Sequence, residues 1–230
     1  MDDAAARSGA RRWLVRESMG MAFVLLLLLW PAGRWDWTAA WVMTGMYAVW
    51  VAGTAILIMP RHPALLAERA TGRPERGWDK IVLGLFGVFT TASYLVAGFD
   101  MRWGWSPEMP TAFQVVGAVT ALAALALVAW SMMENAYFAK VSRIQSDRGQ
   151  TVATGGPYAM VRHPGYIGGS SFAVAAPFVL GSWVATPLGM VAGLMLVIRT
   201  GFEDRMLQEE LEGYAEYAAR VRWRLLPGIW

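Results

Sequence analysis

Apolar residues along this chain come in long unbroken runs rather than in the short alternations of elements that face water on one side. Ser18 to Ala32 with its run FVLLLLLW, Trp37 to Met59, Ile81 to Phe99 and Thr111 to Met133 are the first four. Each approaches the roughly 20 residues that a helix needs to cross hydrocarbon, the first being short. Tyr166 to Leu180 and Trp183 to Ile198 follow, separated only by Gly181 and Ser182, a spacing that predicts a tight helical hairpin. Leu207, Leu211, Tyr214, Ala218 and Val221 then recur at helical spacing. The pattern predicts an all-α polytopic membrane bundle of about six spans, closed by an amphipathic cytoplasmic helix that folds back over it.

Charge tests this parse independently. Arginine and lysine gather before the first run (Arg7, Arg11, Arg12, Arg16), in the second connection (Arg61, Arg69, Arg73, Arg76, Lys80), in the fourth (Lys140, Arg143, Arg148, Arg162) and after the last run, from Arg199 to Arg224. The other side keeps Arg34 and Arg102. Positive residues concentrate on cytoplasmic loops, so six spans with both termini cytoplasmic are expected. Hydrophobic residues make up 56% and charged residues 16%, too apolar for an ordinary water-soluble domain, and the net charge of +3 belongs to loops facing anionic headgroups rather than to a nucleic-acid surface. Residues 1–17 read as a flexible cytoplasmic N-terminus and 18–230 as one integral-membrane domain.

The absence of cysteine excludes disulfides, thiolate metal sites and a cysteine nucleophile, and two distant histidines without an H-E-x-x-H make a zinc site a poor reading. Neither a P-loop nor a strand-associated G-x-G-x-x-G is found. Polar residues instead cluster in the second connection, the fourth connection and the tail. In GGPYAMVRHPGYIGG, Gly155 to Gly169, the Gly-Gly-Pro and Pro-Gly steps leave room for at most a short helical turn over Tyr158 to His163. Backbone left open near a membrane is tolerated where it lines a wet cavity or a ligand. Arg199 directly follows the apolar GLMLVI, and Glu203 shares its helix face four residues on; this is either a surface ion pair or a site at the mouth of the bundle.

The ordered elements G-P-Y-x-x-V-R-H-P-x-Y-x-G, a hairpin, R-x-x-x-E, Y-x-x-Y and the terminal RLLPGIW resemble the isoprenylcysteine carboxyl methyltransferase and phospholipid methyltransferase superfamily. HPALLAER, WDKIVLGLFG and RIQSDRGQTV look like its bacterial isoprenylcysteine carboxyl methyltransferase-like branch, the likeness running from about Pro63 to Trp230. The resemblance implies a bacterial inner-membrane enzyme that uses S-adenosylmethionine, with its cofactor pocket in about residues 143–230. It implies that Gln150, Thr151, Val152 and Ala153 offer backbone contacts and that Tyr158 packs on the cofactor. His163, Pro164, Gly165 and Tyr166 form its wall, Gln145 and Glu203 contact it, and Arg199 orients or polarises the methyl acceptor. This chain departs from the pattern in having Gln150 where histidine is frequent, Glu203–Asp204 for a Glu pair, and a shorter tail before Tyr214. The tripeptide at Arg61 to Pro63 belongs to a separate element, and His62 is given a structural role.

The resemblance implies a small or lipid-soluble methyl acceptor, and leaves open whether its reacting group is a carboxylate, thiol or amine. Two other readings stay open: a sterol-type reductase using NADPH, whose R-H-P-N-Y-x-G-[DE] element differs at Gly165 and Gly169, and a non-enzymatic scaffold of the same fold.

Overall fold

The computed structural model describes residues 3–72 and 76–230, so Arg73 of the second connection lies outside the described residues. Eight α-helices and no strand occur among those residues: α1 Asp3–Ala32, α2 Thr38–Leu57, α3 Pro63–Thr71, α4 Gly77–Trp103, α5 Thr111–Glu134, α6 Pro164–Leu180, α7 Thr186–Glu210 and α8 Tyr214–Arg220. α1, α2, α4 and α5 are each long and apolar enough to cross a membrane. α6, at 17 residues, is shorter, and α7 carries polar residues through its last turns. These six run back and forth between two ends. α3, α8 and the long segment between α5 and α6 lie at the arginine-rich end, and three short turns lie at the other.

Small residues set the helix spacing, as they do where helices pack without a hydrophobic drive. A Cβ on Gly168 of α6 would stand 2.7 Å from the Ala124 carbonyl of α5, and one on Gly189 of α7 2.6 Å from the Ala173 carbonyl of α6. At the arginine-poor end the buried Asp100 carboxylate accepts from the Ser106 amide at 2.7 Å and from the Ser106 and Ser182 hydroxyls at 2.6 Å. It thereby ties the end of α4 to the α6–α7 hairpin.

Two expectations change. Residues 3–17, expected to be flexible, form the first turns of α1, because Ala6, Ala10 and Trp13 recur on one face and bury there, with Gly9 in close contact with Ala67 of α3. The tail is not one amphipathic helix: α7 continues to Glu210, Gly213 turns the chain at φ +79°, and only the seven residues of α8 follow. Leu211, Tyr214 and Tyr217 nonetheless bury against Tyr158, so the tail does cover the cassette.

Candidate functional site

Both RHP tripeptides start a helix in the same way. His62 and His163 precede Pro63 and Pro164, the first residues of α3 and α6, with φ of −134° and −129°. They differ in what surrounds them. Before Arg162, residues Gly156–Ala159 make a single 3-10 turn, and Gly156 takes φ +53° where a Cβ would crowd the Glu134 side chain and Trp130. The Arg162 and His163 amides donate to the carbonyls of Trp223 and Arg224 at 2.9 and 3.0 Å, and the Tyr217 hydroxyl donates to the Tyr158 carbonyl at 2.7 Å. Cassette and tail are thus one knitted unit.

Its centre is Asp204, fully buried. Arg162 grips both carboxylate oxygens at 2.7 and 2.8 Å, Arg224 donates to Oδ2 at 2.8 Å, and Gln208 and Tyr214 donate at 2.8 and 3.0 Å. His163 Nε2 lies 3.1 Å from Oδ1. Burial by itself would raise its pKa, but hydrogen bonds from His163, Arg162 and Arg224 hold the carboxyl far below the usual range. Burial and the Asp204 charge push the Tyr214 phenol up, keeping it a donor.

Beside this unit lies a cavity of about 550 Å³ at the arginine-rich end, within the range that holds small ligands. Gln145, Gln150, Thr151, Val152, Ala153, Tyr158, His163, Gly165, Tyr166, Arg199 and Glu203 all line it, so ten of the eleven expected cofactor contacts and Arg199 are brought together. Pro164 is the exception: it is buried at the start of α6 and does not line the cavity. Gly165 is glycine for a local reason, since a Cβ there would run into the Phe138 ring.

The lining residues divide into committed and open groups. Gln145 is fixed, its amide Nε2 donating to the Tyr137 carbonyl at 2.7 Å while its backbone N–H donates to Gln150 Oε1 at 2.7 Å. Burial raises the pKa of the Tyr158 phenol, which Asn135 reaches at 3.3 Å. By contrast, Thr151, Val152 and Ala153 are in neither helix nor strand, and their backbone groups make no hydrogen bond within the described residues. Glu203 Oε2 accepts from the Tyr166 hydroxyl at 2.7 Å and from Ser142, while Oε1 accepts none among the described residues.

Arg199 and Glu203 do not form the surface ion pair that their spacing allowed. Arg199 is buried; its Nε donates to Asp79 Oδ1 at 2.8 Å, and its Nη2 donates to the Lys140 carbonyl at 2.9 Å and Ser142 Oγ at 3.1 Å. Its guanidinium carbon stands 5.4 Å from the centre of the Tyr166 ring. Asp79 and Ser142, which hold Arg199, are not among the residues expected at the site. The signal for Asp79 was its place as a lone acid entering an apolar helix.

No group of acidic or histidine side chains among the described residues is arranged to hold a metal ion. Helices long and apolar enough to cross a membrane, with a partly polar cavity at one end of the bundle, fit an integral membrane protein. The phospholipid methyltransferase family model matches residues 112–213, which covers α5, the cassette, α6 and α7 and bears out the superfamily resemblance over that part of the chain. No curated protein matches the chain. Family match and apolar helices together point to a membrane methyltransferase, with α1 to α4 contributed from outside the matched segment.

Proposed function

We propose that the protein is an integral-membrane, S-adenosylmethionine-dependent methyltransferase acting on a small or lipid-soluble acceptor. One observation carries the cofactor: the unpaired backbone of residues 151–153 and the free carboxylate oxygen of Glu203 line the same cavity. That donor set suits the ligand. Backbone amides and carbonyls can pair with a purine edge and sugar hydroxyls, and a partly desolvated carboxylate favours a ligand bearing positive charge.

When bound, the cofactor supplies a methyl group on a sulfonium, transferable by in-line displacement without a covalent enzyme intermediate. What the protein must then provide is alignment and exclusion of water. Tyr158, Leu207, Leu211 and Tyr214 supply an apolar wall on the tail side. Tyr166 and Ser142 fix the Glu203 carboxylate, and Asp79 fixes Arg199 while leaving Nη1 without a hydrogen bond among the described residues. A guanidinium held in this way can orient a polar or anionic acceptor. On this reading Arg199 is the catalytic residue, and the arginine-rich end faces the cytoplasm of a bacterial inner membrane. The acceptor's reacting group is a carboxylate, thiol or amine.

Incubating membranes that contain the protein with methyl-labelled S-adenosylmethionine tests the reading. Label should enter the lipid-extractable fraction with the wild type and be lost with Glu203→Ala. Equal labelling with both, or none with a folded wild type across extracts, would count against it. Binding of NADPH in place of S-adenosylmethionine would favour a reductase.

A further inference from the structure

Other groups line the same cavity: Arg16 of α1, Arg69 of α3, Lys140, and Leu83 and Phe86 of α4. Arg16 and Arg69 come from outside the segment that matches the methyltransferase family.

Charge here is not balanced. Lys140 is paired with Glu17, Arg143 with Glu68, and Arg199 with Asp79. Arg16 and Arg69 have no carboxylate within ion-pair distance among the described residues; Arg16 Nη1 donates to the Ala70 carbonyl at 2.7 Å, capping α3. Arg69 is the sharper case. It is 7% exposed, and among the described residues its side chain makes one hydrogen bond, from Nη1 to the Phe138 carbonyl at 3.1 Å, and its buried Nε has no partner. Burial lowers its pKa to about 10, against the opposing charge of Glu17, so the group remains a cation at neutral pH. A buried guanidinium with donors left over is costly unless something anionic comes to it. Phe138, over which Arg69 lies at 5.4 Å, cannot supply that charge.

We propose that Arg69, with Arg16 and Lys140, is an anion-anchoring site that selects an acceptor amphiphile by a fixed phosphate or carboxylate, with the apolar part lying along Leu83 and Phe86. This deepens the methyltransferase reading and rests on it: one part of the cavity lining takes the cofactor, another holds the acceptor by a charge. Arginine suits the task, because its planar fork pairs with two oxygens of such a group.

The test measures binding, not turnover. Full-length protein in phosphatidylcholine nanodiscs is titrated with decyl phosphate, decyl maltoside and inorganic phosphate, each with and without saturating S-adenosylhomocysteine. Decyl phosphate should bind saturably and more tightly than either of the others, and S-adenosylhomocysteine should not displace it. Arg69→Gln should weaken it by about tenfold to a hundredfold, and Arg69→Lys by less. Glu17→Gln, which removes at constant shape the carboxylate that pairs with Lys140 and opposes the Arg69 charge, should tighten it, a direction that a misfolded variant would not produce. The proposal is overturned if decyl phosphate binds no better than decyl maltoside, or if Arg69→Gln and Glu17→Gln leave its affinity alone. Inorganic phosphate binding as tightly would remove the amphiphile. Competition by S-adenosylhomocysteine would give the cluster to the cofactor's carboxylate. S-adenosylhomocysteine binding, read separately, tells failure of the cofactor reading from failure of this one.

Discussion

Arg199 Nε and Asp79 Oδ1 lie 2.8 Å apart although 120 residues separate them in sequence. The bond joins the last turns of α7 to the first turn of α4, so a residue of the family-matched segment is held by one outside it. Both are buried, and each depends on the other to offset the loss of water.

Breaking that pair should therefore unfold the site. Asp79→Ala is expected to lower stability by about 3–5 kcal/mol, since it leaves a buried guanidinium without its carboxylate. Replacing both partners, Asp79→Leu with Arg199→Met, should cost less than either single change while still abolishing methyl transfer. Thermal unfolding in detergent alongside labelled-methyl incorporation separates the two effects.

Asp204 makes acid the condition that loosens the tail. Its carboxyl sits far below its unfolded value of about 3.9. Its contribution is therefore complete above roughly pH 4 and drains away as pH falls below that. Wild-type unfolding temperature should drop progressively as pH falls below about 4. Asp204→Asn should be less stable at neutral pH and should lose part of that slope. Identical slopes for the two proteins would show that Asp204 does not carry it.

Gly165 is a packing position. Gly165→Ala should destabilise by about 1–3 kcal/mol, because the added methyl meets the Phe138 ring. Gly165→Ala combined with Phe138→Leu should recover much of the loss. A chemical-denaturation series on the three variants checks it.

Most of the fold was legible because the apolar runs are long and the connecting charges gather in alternate connections, on one side of the bundle. The N-terminal turns were missed because Arg7, Arg11 and Arg12 dominate that stretch, although the spacing of Ala6, Ala10 and Trp13 carried a helical face. Much of the candidate site was legible too, because the cassette and Glu203 are close in sequence to the elements that carry them. Which groups are committed was not. Nothing in R-x-x-x-E says that Arg199 pairs with Asp79 and meets Glu203 only through the Ser142 hydroxyl, since Asp79 and Ser142 reach it only through tertiary packing. Arg69 was read as one more loop charge, and only burial sets it apart. The tail's helical spacing misled for a simple reason: Gly213 turns the chain there.

The central claim is a cofactor cavity shared by the open backbone at 151–153 and Glu203. Titration calorimetry of the purified protein with S-adenosylmethionine, its demethylated product and NADPH tests it most directly. The account predicts saturable binding of the first two at one site, weakened about tenfold or more in Glu203→Gln, and none of NADPH. A folded wild type that binds neither, or that binds them as its Glu203→Gln variant does, would contradict it.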